Sequence, residues 1–101
     1  MSVTLTILKI ALDDLENALN WYESQSEGLE QRFSKDMNER LAFIKTYPEA
    51  SPIRIKTFRG AQLKKFPYTI YYDFDEGQNL VRVVSVLHNK RNKNVLIERK
   101  I

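Results

Sequence analysis

Cysteine is absent from this 101-residue chain. That rules out a disulfide framework and thiolate zinc sites, and it fits a reducing compartment. Glycine and proline occur three times each. Their scarcity excludes collagen-like and low-complexity architectures, and it leaves too few glycines for the loops that cradle nucleotide phosphates. No apolar run approaches the roughly 18 residues of a membrane span, and Met1 to Ile10 lacks the charged-then-apolar build of a signal peptide. The expectation is a cytoplasmic protein with no membrane partner. There is one histidine, and neither an HExxH pair nor a catalytic serine elbow. This argues against classical cofactor enzymology, so the reading includes no cofactor and no metal.

What is there describes one ordinary domain. The chain is 43% apolar and 29% charged, which excludes disorder and leaves no room for a second domain. A chain of this size buries roughly two-thirds of its unfolded surface, so any active site is expected to be a shallow cleft. The net charge of +3 conceals a polarity along the sequence. Residues 1–49 hold nine acids and five bases, net −4, whereas residues 50–101 hold four acids and eleven bases, net +7. Such a division suits a face that meets something anionic, a nucleic acid or an acidic protein segment, or else a solvated basic surface.

Periodicity divides the chain into elements. Val3 to Ile10 is rich in β-branched residues and reads as a first strand. Leu12, Leu15, Leu19 and Tyr22 then fall at helical spacing, widened by Ala11 and Ala18, with Asp13, Asp14 and Glu16 in the first turns. This predicts a helix over residues 11–24. After a polar link ending at Gly28, Leu29, Phe33, Met37, Leu41 and Ile44 predict a second helix, stopped by Pro48. Ile53, Ile55 and Thr57 alternate as a strand, Arg59-Gly60 is expected to turn the chain, and Ala61 to Phe66 continues beyond it. Tyr68, Ile70, Tyr72 and Phe74 form one face of the next strand, and Leu80 to Leu87 is an interior strand. The fold class is α+β: an N-terminal strand, an antiparallel helical hairpin, then a three- to four-stranded antiparallel sheet. The first strand joins the sheet edge or pairs beside the last strand. Residues 1–92 form one domain, and 93–101 a basic tail in which neither period wins, expected to stay mobile until something binds it.

Candidate chemistry rests on cations. Arg54, Arg59, Lys64, Lys65, Lys90 and Arg91 are the candidates for binding a partner or nucleic acid, with Lys56 and Arg82 nearby in sequence. Lys64 and Lys65 are read as strand neighbours on opposite faces, so one of them meets a given groove. His88 is either a general acid or base, with flanking cations offsetting charge on a phosphate, or a polar cap on an inner strand. Tyr68 and Tyr72 share the face of Ile70 and are read as core, Tyr71 points the other way, and Trp21 and Tyr22 are read as packing.

At this point a resemblance enters. Ala11, Asp14 and Leu15, then Trp21-Tyr22-Glu23 with Gln25, Gly28, Leu29 and Phe33, then Tyr47-Pro48, then Phe66-Pro67-Tyr68 with Ile70-Tyr71-Tyr72, then Val86-Leu87-His88 with Lys90-Arg91, resemble the RelE/ParE toxin superfamily of bacterial type II toxin-antitoxin modules. The match spans about residues 3–92, and the wording is closer to the ParE branch. It implies a toxin neutralised by a cognate antitoxin, as a hetero-oligomer. ParE-like members poison DNA gyrase without recognised catalytic residues, whereas RelE-like members cleave mRNA on the ribosome. The cations of the RelE pattern would fall near Gly60, Gln62 and Thr69, and its late tyrosine has no counterpart after Asn92. Arg91 is the one cation retained. The resemblance therefore implies gyrase inhibition, with mRNA cleavage as the alternative, in which His88 and Arg91 would be catalytic.

Overall fold

The computed structural model describes residues 3–99. Met1 and Ser2 of the signal-peptide reading, and Lys100 and Ile101 of the basic tail, lie outside the described residues. The elements in order are β1 (Thr4–Ile7), α1 (Lys9–Gln25), α2 (Leu29–Thr46), β2 (Ile53–Ile55), β3 (Phe58–Gln62), β4 (Tyr68–Asp75), β5 (Leu80–His88) and α3 (Val95–Glu98). This is the α+β class expected from the sequence. Among the described residues no helix is long and apolar enough to cross a membrane.

The sheet has five strands in the order β1-β5-β4-β3-β2. β2 to β5 are antiparallel neighbours, and β1 lies parallel to β5, pairing Thr4 with Leu80 and Ile7 with Val83. The first strand is thus both at the edge and beside the last one. It is shorter than the predicted residues 3–10, because Leu8 already donates its N–H to Val83 and accepts from Ala11 and Leu12, which starts α1 at Lys9. With that start, Asp13, Asp14 and Glu16 fall past the first turn and do not serve its dipole.

The helical hairpin covers one sheet face. Gly28 joins the helices at φ 85°, a left-handed conformation in which a side chain would be strained. Ala11, Ala18, Phe33, Met37 and Ile44 meet Ala61, Ile70, Tyr72, Val81, Val83 and Val86 in the main core. At its end, the rings of Tyr22, Phe33, Phe66 and Tyr68 pack with centroids 4.9–6.1 Å apart. The α1 stripe is narrower than its spacing suggests, since Leu12 is 49% and Trp21 58% exposed. They lie on opposite flanks of the face that Ala11, Ala18 and Tyr22 bury.

The other sheet face carries a second cluster: Tyr71, Val84, Leu87 and Leu96, flanked by Leu8, Ile55, Phe58 and Val95. A bulge makes it possible. Between Tyr71 and Tyr72 the register with β5 shifts, so that Tyr71 opposes Ser85 and Tyr72 opposes Val83, with Val84 as the extra residue. The tail differs from the expected mobile segment, for Val95–Glu98 form α3 and Leu96 is buried against that cluster.

The β2–β3 hairpin turns at Lys56-Thr57 rather than at Arg59-Gly60. Lys56 takes the positive φ of 51° that the tight turn needs. Gly60 sits within β3 for a different reason: a Cβ there would lie 2.7 Å from Cγ of Arg54 and 3.3 Å from the Tyr71 ring. β3 also stops at Gln62, short of the predicted Phe66.

Candidate functional site

The cations nominated from the sequence divide into structural and exposed ones. Arg59 is structural, its guanidinium donating to the carbonyls of Glu49 at 3.1 Å and Ser51 at 2.7 Å, which closes the chain between α2 and β2. Beside it the Tyr72 hydroxyl donates to the carbonyl of Pro48 at 2.7 Å. Arg82 is held by both oxygens of Asp73, and that hydrogen-bonded carboxylate raises its pKa further. Arg54 is exposed on β2, with its stem over Gly60. Burial pushes the pKa of Tyr71 up, and the Arg54 charge partly offsets that rise.

Lys64 and Lys65 lie in the β3–β4 loop and not in a strand, so both are exposed. Asp36 of α2 sets the loop: its buried carboxylate accepts the N–H groups of Lys64 at 3.2 Å, Lys65 at 2.8 Å and Phe66 at 3.0 Å. One helical turn on, Arg40 Nε donates to the carbonyl of Gln62 at 2.7 Å. A loop tied this way presents two ammonium groups from a fixed backbone.

His88 ends β5, and the exposed Lys90 and Arg91 follow in the turn. The ring of His88 meets the edge of Tyr68 with centroids 5.2 Å apart. Its Nδ1 accepts the N–H of Lys90 at 3.1 Å, which in the neutral ring assigns the proton to Nε2. His88, Arg91, Tyr68, Asn17 and Asp14 line one hollow of about 150 Å³. The nominated cations are therefore not one cluster. Lys65 lines a separate hollow with Arg32 and Lys35.

The residue set that sequence reasoning missed sits behind the His88 hollow. β1 ends opposite Val83 while β5 continues to His88, so the last half of β5 has no strand on that side. Asp14 fills the gap, its Oδ2 accepting the N–H of Val86 at 3.0 Å. Arg99 closes on the same carboxylate with two bonds of 2.7 and 2.8 Å and donates to the Ser85 hydroxyl at 2.6 Å. The pair is largely buried, with side chains 13% and 8% exposed, and the bonded carboxylate raises the pKa of Arg99 further. A signal existed for both missed acids. Asp14 lies between Ala11 and Ala18 on the buried face of α1, and Asp36 lies between Phe33 and Met37 on that of α2. A carboxylate on a buried helix face needs a partner.

Residues 5–93 match the family model of the ParE toxin of type II toxin-antitoxin system, parDE. No curated protein matches the sequence significantly. In fold the chain is similar to a chain of the chromosomal ParDE system from P. aeruginosa, at 14% identity and a TM-score of 0.69 over 85% of this chain and 95% of that one. It is also similar to a mutant of the E. coli toxin RelE in the free state, at 16% identity and a TM-score of 0.61, with 100% of both chains covered. A chain of the intact E. coli RelBE toxin-antitoxin complex aligns at 17% identity and a TM-score of 0.58, over 88% and 99%.

Proposed function

Because the chain belongs to the ParE toxin family of type II toxin-antitoxin systems, we propose that it arrests growth by inhibiting DNA gyrase, with no catalysis of its own, and that a cognate antitoxin holds it inactive. The observation that carries this reading is the composition of the sheet face opposite the helical hairpin. RNA cleavage there would need cations to offset the charge of a phosphate in transit and a group to take the ribose proton. Gly60 and Thr69 share that face with Tyr71, Gln62 pairs with Thr69, and none of these carries charge. Arg82 is committed to Asp73 and Arg99 to Asp14, while Arg54, its stem over Gly60, makes no ion pair among the described residues. Such a surface suits protein contact better than phosphoryl chemistry.

The antitoxin part of the reading rests on charge and on the relatives. Lys64, Lys65, Lys90, Arg91 and Arg54 are all exposed in a half of net charge +7. Two of the similar folds come from a ParDE system and an intact RelBE toxin-antitoxin complex. A partly acidic, amphipathic segment is the partner this surface favours, giving a hetero-oligomer.

A second reading, a ribosome-dependent mRNA endonuclease, is favoured by the hollow that His88, Arg91 and Tyr68 share. In it His88 is the general acid or base and Arg91 offsets the phosphate charge. His88 would have to give up its bond to the Lys90 N–H, or turn its ring, to expose a basic nitrogen.

The deciding experiment compares gyrase supercoiling and DNA cleavage with ribosome-programmed mRNA cleavage, using the purified protein. Trapped gyrase-DNA breaks with intact mRNA are the expected result. Cut mRNA with normal gyrase would overturn it, and His88→Ala should then abolish toxicity without unfolding the protein.

A further inference from the structure

Between Glu76 and Glu98 the sequence has no acidic residue, and the middle of that stretch reads His88, Asn89, Lys90, Arg91, Asn92, Lys93, Asn94. Residues 89–94 are all exposed. Their backbone is nevertheless fixed. The N–H of Asn89 donates to the carbonyl of Pro67 at 2.8 Å, that of Arg91 to His88 at 2.9 Å, and that of Val95 to Asn92 at 3.1 Å. Beyond the loop, buried Leu96 and the Arg99–Asp14 pair anchor the chain. The loop is ordered before any ligand arrives, so binding does not have to offset the cost of ordering it.

Internal bonds engage three of the four side-chain acceptors of this loop, all but Asn94 Oδ1. His88 Nδ1 takes the N–H of Lys90 at 3.1 Å, Asn89 Oδ1 takes the Thr69 hydroxyl at 2.7 Å, and Asn92 Oδ1 takes the N–H of Asn94 at 2.9 Å. What remains is His88 Nε2–H, the amide NH₂ groups of Asn89 and Asn92, the whole amide of Asn94, and the charged ends of Lys90, Arg91 and Lys93, which make no side-chain hydrogen bond or ion pair among the described residues. The loop therefore offers a ligand mainly donors and positive charge, with one acceptor, Asn94 Oδ1.

The kind of polyanion follows from what the loop lacks. A protein partner needs an apolar centre to desolvate, and residues 89–94 contain no apolar side chain. A single-stranded nucleic acid gains its affinity largely from rings that stack on bases, and residues 88–94 hold one ring, His88, already set edge-on against Tyr68 at 5.2 Å between centroids. The backbone of a duplex asks for charge and hydrogen-bond donors alone. We propose that residues 88–94 form a non-catalytic contact surface for the phosphate backbone of duplex DNA. This stands on the loop and does not depend on gyrase being the target.

The test is fluorescence anisotropy of a short labelled duplex with the full chain, titrated between about 50 and about 200 mM salt. Binding should weaken as salt rises. The triple variant Lys90→Gln, Arg91→Gln, Lys93→Gln should bind more weakly, with a log–log salt slope shallower by about 2.7, since each lost phosphate contact removes about 0.9. Lys35→Gln with Lys45→Gln, two exposed positions on α2, should keep the wild-type slope. A thermal melt checks the fold, and Lys93→Gln alone, with a slope change of about 0.9, serves if the triple variant melts early. The proposal is overturned by an unchanged slope in the triple variant, or by wild-type protein that shows no salt-dependent duplex binding. It is equally overturned if single-stranded RNA binds more tightly than the duplex. A triple variant that keeps duplex binding but loses the antitoxin would assign the loop to an acidic protein instead.

Discussion

The guanidinium of Arg99 grips the carboxylate of Asp14 across 85 positions of sequence, with bonds of 2.7 and 2.8 Å. The same carboxylate holds the N–H of Val86. Three segments, α1, β5 and the C-terminal turn, are thereby tied at one buried point, where β1 has run out and the sheet would otherwise present an open edge.

Breaking this pair from one side should be costly. Asp14→Ala leaves a buried guanidinium and a bare N–H, and Arg99→Ala leaves a buried carboxylate, so each is expected to lose about 3–5 kcal/mol in denaturant melts. The double variant should lose clearly less than the sum of the two. Additive losses would mean that Arg99 and Asp14 act separately.

Asp36 carries a different load. Asp36→Ala removes the acceptor of three backbone N–H groups in the β3–β4 loop, two of them on exposed residues that water can reach, so about 2–3 kcal/mol is expected. Hydrogen exchange at residues 64–66 should accelerate well before global unfolding. Unchanged exchange there would show that the loop is held by other contacts.

Charge on that loop should act on association. Lys64→Glu with Lys65→Glu is expected to slow capture by the antitoxin about tenfold at low salt and to flatten its salt dependence, with little change in dissociation. Stopped-flow rates at several ionic strengths would decide it. Identical on-rates would move the electrostatic contact to another face.

Alkali should destabilise the fold. Burial raises the pKa of Tyr22, Tyr68, Tyr71 and Tyr72 above 10.0, so the folded state holds these phenolic protons more tightly than the unfolded chain. Their contribution is fully present below about pH 10 and is lost as pH rises through the folded values. Urea melts between about pH 8 and about pH 11 should show a steep fall at the upper end. Tyr72→Phe should lessen that fall while costing about 1 kcal/mol at neutral pH, through the lost bond to Pro48. A flat profile would contradict the buried state of these phenols.

Much of this fold was legible because its signals are periodic. The steps from Leu29 through Phe33, Met37 and Leu41 to Ile44 mark α2 to its first residue, and Tyr68, Ile70 and Tyr72 mark the buried side of β4. What was missed depends on contacts far apart in sequence. No local pattern says that Leu96 caps a second cluster or that Arg99, one base among several in a basic tail, turns inward. Gly60 misled because glycine signals a turn, whereas here it makes room for Arg54. Leu12 continues the helical period and Trp21 reads as packing, yet both lie at the rims of a face too narrow to cover them. In the candidate site, exposure of Lys64, Lys65, Lys90 and Arg91 followed from polarity, but the internal use of Arg59 did not, since its partners are backbone carbonyls that no side-chain pattern reveals.

The short first strand also sets an order of events. β1 precedes its pairing partner β5 by 76 residues, and the gap that β1 leaves is filled by Asp14 and locked by Arg99. During synthesis the hairpin of helices can form early, while the sheet stays without one edge until β5 has been made. A chain interrupted before position 99 keeps a buried carboxylate with no counter-ion at the point where α1 and β5 should lock. The lock between α1 and β5 thus waits on Arg99, and a product cut short of that residue would be destabilised by its own unpaired carboxylate.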